Sequence, residues 1–189
     1  LTGTRVFAKD CETSAANPAG DESEKKMKRL ALVLTALCGL TALAYAQGGI
    51  APDFTLKDLD GVSHHLADAK GKVVVLSFWM TWCVPCKMEM PQLKKLYDVY
   101  KDQGVEIWSI TADSSSDMPL VKTIVRRYQV NYPVLLDTDS RVNALLNQRN
   151  DYPLTIVIDK QGKIQWTHIG YQPGEEKLLE EQIKKALTK

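Results

Sequence analysis

Cys83-Val84-Pro85-Cys86 places two thiols three positions apart, where an apolar run, Val73 to Phe78, gives way to a helical pattern. Two chemistries use such a pair. One is thiol–disulfide exchange, in which a thiolate attacks a disulfide and a second thiol releases the product. The other is ligation of a soft metal by the same thiolates. At a strand-to-helix junction the spacing reads as a redox pair. A free cysteine with a pKa near 8.5 is only about 3% thiolate at pH 7, and a helix N-terminus raises that fraction. Glu89 follows Cys86 by three residues, on roughly the same helical face. It is placed to take the proton that Cys86 must lose before attacking. The same position also suits an exposed helix carboxylate, and burial is what would lift its pKa into the working range.

The elements that must position these groups are legible nearby. Val73-Val74-Val75-Leu76-Ser77-Phe78 is a continuous, β-branched apolar run, the pattern of a central strand buried on both faces. After the cysteines, Met90, Leu93, Leu96, Tyr97 and Tyr100 recur at three- and four-residue spacings and form one helical stripe. Pro91 falls inside that helix and removes its bond to the Lys87 carbonyl, which should kink it early. Gly104 stops it.

Upstream, Ala51 to Lys57 reads as a short edge strand, Asp60-Gly61 as a turn, and Val62 to Leu66 as the returning arm of a hairpin. His64 and His65 point to opposite faces there, as surface residues. Downstream, Val105 to Thr111 is a strand, and Ser114 to Asp117 can cap a helix running to about Tyr128. Leu120, Val121, Ile124 and Val125 are its inward set, and Pro119 sits in its first turn. Tyr132 to Leu136 gives a strand, Asp137 to Ser140 a turn and cap, and Arg141 to Leu146 a short helix. Thr155 to Ile158 and Lys163 to Ile169 form a hairpin through Asp159-Lys160-Gln161-Gly162, and Glu175 to Leu187 closes as a helix. Alternating strands and helices with a terminal hairpin and helix predict an α/β fold, a three-layer sandwich around a mixed sheet.

Composition narrows the function classes. The 189 residues carry a net charge of +1, which gives no support for nucleic-acid binding through a basic surface. Met27-Lys28-Arg29, an apolar run from Leu30 to Ala44 and Ala44-Tyr45-Ala46 describe a secretory signal peptide over residues 27–46. The alternative is an uncleaved membrane anchor, although the run is shorter than the roughly twenty residues that a spanning helix needs. The residues before Cys38 do not resemble a lipoprotein attachment site. Residues 1–26 are polar and read as disordered, or as a misassigned start with Met27 first. The folded domain is then 47–189, with Cys83 and Cys86 its only cysteines. So local a pair restrains the unfolded chain little, and in an oxidising compartment chemistry explains it better than stability.

Phe78-Trp79-x-x-Trp82-Cys83-x-x-Cys86, the helical Pro91, Pro153 ahead of a strand and Gly170 after the hairpin together resemble the thioredoxin superfamily. Ala51-Pro52-Asp53-Phe54, Glu89 and an extra strand–helix segment at about Val121 to Leu146 make the chain similar to its TlpA/ResA/CcmG group of exported thiol–disulfide oxidoreductases. The resemblance covers roughly residues 50–188. It implies a thioredoxin-like fold with an N-terminal β-hairpin and an inserted strand–helix segment. Cys83 would be the more exposed sulfur and the attacking one, with Cys86 resolving the mixed disulfide. Glu89 would act as proton acceptor. The resemblance makes Tyr152-Pro153 the cis bond, its backbone turned toward Cys83 for an extended substrate. Trp79 would pack under the site and Trp82 flank the sulfurs, with Val84-Pro85 tuning the potential. The implied activity is reduction of disulfides in exported proteins, for example the oxidised CxxCH of apocytochrome c. Electrons would come from a membrane thiol conduit of the DsbD/CcdA type. No cofactor and no metal are implied, and a monomer is expected. Two departures bear on the substrate: Ser77 stands where thioredoxins have a buried Asp, and Tyr152 where a smaller or β-branched residue is usual.

Three other readings stay in view. A Sco-like copper chaperone would use Cys83, Cys86 and His168, but that group has CxxxC spacing, and one CxxC makes a poor zinc site. A peroxiredoxin pattern would put Pro at Leu76 and Thr at Met80. A holdase role predicts that Cys83→Ser keeps function.

Overall fold

The computed structural model describes residues 48–189; the expected leader and signal segments lie outside the described residues. Seven strands form one mixed sheet: β1 (Thr55–Asp58), β2 (Ser63–His65), β3 (Val73–Trp79), β4 (Val105–Thr111), β5 (Val134–Leu136), β6 (Leu154–Ile158) and β7 (Ile164–Ile169). Their order is β2-β1-β5-β4-β3-β6-β7. β3, β4 and β5 run parallel, while β1, β2, β6 and β7 pair antiparallel to their neighbours. Among the described residues there are four α-helices: α1 (Val84–Tyr100), α2 (Met118–Arg127), α3 (Arg141–Leu146) and α4 (Glu176–Leu187).

Strand alternation sorts β3 between two cores. Val74, Leu76 and Phe78 join Phe54, Trp108 and Ile156 on one face, closed by Val142 of α3 and the short 3₁₀ helix Leu66–Ala69. Val73 and Val75 face Leu93 and Leu96 of α1 and Leu179 and Ile183 of α4. Further along that second face, Trp79, Cys83, Cys86 and Met90 pack with Val121 and Ile124 of α2. Every residue of β3 is buried, as its apolar run predicts. Each such aliphatic side chain contributes about 1.5–3 kcal/mol of burial. The result is the three-layer α/β sandwich with an N-terminal hairpin, and α2, β5 and α3 are the inserted segment.

Local chemistry departs from expectation in places. Of the expected inward set of α2, Val121 and Ile124 are buried as predicted, while Leu120 is half exposed. The serines do not cap α2 through their side chains. A 3₁₀ turn, Ser115–Asp117, leads into it, and the Ser114 hydroxyl donates to Asp117. At α3 the cap is Asp137, whose carboxylate accepts the Val142 and Asn143 N–H groups at 3.2 and 2.7 Å. α1 continues as one helix through Pro91 to Tyr100. His64 is less of a surface residue than expected. It is half-buried, 2.8 Å from Asp58 and edge-on to Trp108.

Candidate active site

Cys83 is the residue that caps α1, and Pro85 falls in the first turn, where a missing N–H costs nothing. The Cys83 sulfur accepts the Cys86 N–H at 3.2 Å, and the two cysteines are joined as a disulfide. Both are buried, at 3% and 1% exposure. The expected contrast between an open Cys83 and a covered Cys86 is therefore small in this oxidised state. Trp79, Met90 and Val121 pack around both cysteines. Exposure lies beside them instead, on Trp82 and Val84.

Two devices hold the approach to Cys83. Asp113, buried just beyond β4, accepts the Thr81 N–H at 2.9 Å and the Thr81 hydroxyl at 2.8 Å. Lys87 donates to the Thr81 carbonyl at 3.0 Å. The residues just before Cys83 are thus pinned from β4 and from α1. On the other side, the Tyr152–Pro153 bond is cis. The Tyr152 ring meets Trp82 edge-on, with centroids 5.7 Å apart. Its hydroxyl donates to Asn143 Oδ1 at 3.0 Å, and Asn147 binds both Asn143 and the Asp151 backbone. The inserted helix α3 therefore braces the loop that carries Tyr152.

Glu89 is buried, at 5% exposure, and is not a solvent-facing helix carboxylate. It accepts the Ser77 hydroxyl on Oε2 at 3.0 Å and the Thr155 hydroxyl on Oε1 at 2.8 Å. Ser77 and Thr155 are direct partners in the β3–β6 register, so the sheet offers two hydroxyls side by side to one carboxylate. Burial raises its pKa from 4.5 to about 7, and the two hydroxyls act against that rise by favouring the charged form. Ser77, the departure from the thioredoxin pattern, thus serves as a donor to Glu89. A carboxyl that titrates near neutrality, one helical turn beyond Cys86, suits proton transfer to and from that thiol.

Three contributors escaped the sequence reading. Asp113 reaches Thr81 across 32 residues, which only the strand order brings together, and Asn143 reaches the Tyr152 hydroxyl over the nine residues from α3 to the loop before β6. His168, named from the sequence as a ligand in the copper reading, pairs with Thr155 in the β6–β7 register and lines a cavity with Glu89. Tracing the register from Ser77 through Thr155 to His168 is the signal that would have found it.

Fold and site define a thioredoxin-fold thiol–disulfide oxidoreductase. The chain belongs to the AhpC/TSA family, which it matches over residues 48–167. It is 40% identical over 156 residues to the thiol-disulfide oxidoreductase ResA of Geobacillus kaustophilus, covering 74% of this chain and 87% of that one. Among solved structures, a candidate thiol:disulfide interchange protein DsbE from Chlorobium tepidum aligns with a TM-score of 0.68 and 29% identity, covering 75% of this chain and 97% of that one. The thioredoxin domain of a thiol-disulfide oxidoreductase from Bacteroides vulgatus aligns with a TM-score of 0.61 and 28% identity, covering 72% and 97%.

Proposed function

We propose that this oxidoreductase works as an extracytoplasmic protein-disulfide reductase. The observation that carries the reading is the buried Glu89, titrating near neutrality on the helix that begins with the redox pair. In the reduced protein the Cys83 thiolate attacks one sulfur of a client disulfide, and the other client sulfur leaves as a thiolate. Glu89 takes the Cys86 proton, directly or through water. The Cys86 thiolate then attacks Cys83, the Cys83–Cys86 bond forms, and the second client sulfur leaves. Trp82, Val84, Pro85, Tyr152 and Pro153 form the surface along which the client segment lies. The Tyr152 backbone pairs with it as a short strand.

Similarity to proteins named ResA and DsbE supports the assignment of the reductive direction. Residues 27–46 read as an export signal, and among the described residues no helix is long and apolar enough to cross a membrane. The proposed client class is an oxidised CxxCH segment of apocytochrome c. The proposed electron source is a membrane dithiol of the DsbD/CcdA type, serving a monomer.

Cys86→Ser tests the order of the cysteines. It should accumulate a mixed disulfide between Cys83 and an oxidised CxxCH peptide, visible by mass spectrometry. Trapping by Cys83→Ser through Cys86 would reverse the assignment. A reduction potential near about −120 mV, the strongly oxidising end of the known range, would overturn the reductase direction.

A further inference from the structure

Glu89 is enclosed, yet a base that turns over must return its proton to water. The cavity beside it shows where. Its empty space, counted with its open mouth, is about 300 Å³, and the enclosed part has room for about one water. Glu89 and Thr155 line it on the sheet and α1 side, and His168 and Glu175 line it on the outer side. His168 Nε2 lies 3.3 Å from Glu175 Oε2, and both side chains are about 30% exposed, so this pair touches bulk solvent. The imidazole is held flat on Trp166, with ring centroids 5.2 Å apart and an interplanar angle of 2°. Its orientation is thus set by a stack on one side and a carboxylate on the other.

We propose that His168, held by Glu175, is the positioning residue through which the buried Glu89 exchanges its proton with bulk water, sideways across the sheet toward β7. The proposal rests on the reading of Glu89 as base for Cys86. In the resolving step the Cys86 S–H bond breaks and an O–H bond forms on Glu89. The cavity water takes that proton and passes one of its own to His168. The imidazolium, facing the Glu175 carboxylate, releases it to solvent. Glu89 is a carboxylate again, and no oxidant or reductant is consumed beyond the thiols and the client disulfide. Imidazole is the side chain suited to pass a proton near neutral pH. Neither Trp82 nor Tyr152 lines this cavity.

The groups facing Glu89 have opposing effects. His168, when protonated, favours the Glu89 carboxylate, and Glu175 disfavours it. Tyr171 donates to Glu176 on the same wall at 3.0 Å, and burial pushes its hydroxyl up to about 12. Tyr132, from the segment leading into β5, is buried and its pKa is raised. Neither tyrosine takes part near neutrality. The histidine and the glutamate therefore have effects of opposite sign on the same carboxyl, which a change in packing alone would not produce.

The test uses the reduced protein and 5,5′-dithiobis(2-nitrobenzoate). The first thionitrobenzoate reports attack by Cys83 and the second reports resolution by Cys86. The pH profile of the second release in wild type should show the inflection of Glu89. His168→Gln should move that inflection up by about half a unit or more, and Glu175→Gln should move it down. In weak buffer His168→Gln should also slow the second release, and added imidazole should restore it. Inflections that stay in place in both variants, or move in the same direction, overturn the proposal. So does a slow His168→Gln protein that imidazole does not rescue. Glu89→Gln separates the two levels. If it abolishes the inflection while the other variants leave it untouched, the base stands and the His168 connection falls. If the inflection survives Glu89→Gln, the base reading fails and the relay fails with it.

Discussion

Glu89→Gln should make the protein more stable, and only above a definite pH. Burial raises the Glu89 pKa from 4.5 to about 7. An acid whose folded pKa lies above its unfolded value binds more protons folded than unfolded. Its contribution to stability is full below about 4.5 and is lost as pH climbs to about 7. The rise corresponds to about 3 kcal/mol, a large part of the 5–15 kcal/mol that holds a typical domain together. Glutamine keeps the shape and the hydrogen-bonding capacity toward Ser77 and Thr155 but cannot ionise. The oxidised wild type and Glu89→Gln proteins should therefore have similar urea midpoints at pH 4 and diverge through pH 7. With an m-value of about 2 kcal/mol/M, the variant's midpoint at pH 8 should be higher by about 1.5 M. Parallel midpoint-versus-pH curves would refute the assignment of a buried, neutral-range carboxyl. So would a variant less stable at every pH. The same substitution should slow resolution by Cys86, so a gain in stability would accompany a loss of turnover.

Asp113→Ala leaves the buried Thr81 N–H and hydroxyl without their acceptor. It should cost about 2–3 kcal/mol and slow the first attack by Cys83, both read from urea melts and thionitrobenzoate release. Asn143→Ala removes the acceptor of the Tyr152 hydroxyl. In a double-mutant cycle with Tyr152→Phe the two should couple by about 1 kcal/mol; additive losses would show that α3 does not brace Tyr152.

The elements that read most clearly in the sequence are those whose signal is local. β3 declares itself because seven consecutive residues face packed neighbours on both sides, and α1 because its stripe repeats every three or four positions. The helix cap at Cys83 and the turn at Gly61, where φ is +83°, are equally local. Glu89 stood at the right spacing from Cys86, but spacing carries no information on burial. Its enclosure depends on Ser77 and Thr155 meeting across β3 and β6, and Thr155 lies 66 residues away from Glu89. Asp113 reaches Thr81 across 32 residues for a similar reason. Leu120 misled because the face of α2 that packs on Trp79 and Met90 is centred on Val121 and Ile124, and Leu120 lies about 100° round the helix from Val121. His168 stayed hidden because it belongs to a hairpin whose register, not its composition, turns it toward the cavity.

The inserted segment has a consequence for how such a protein diverges. β5 is locked between β1 and β4, so the insert's base cannot drift. Its far end, through Asn143 and Asn147, holds the Tyr152 loop that edges Trp82. Substitutions in α3 can therefore reshape the lip over the disulfide without touching a cysteine, the carboxylate or the strands beneath them. Reactivity and selectivity sit on separable stretches of chain, free to be altered one at a time.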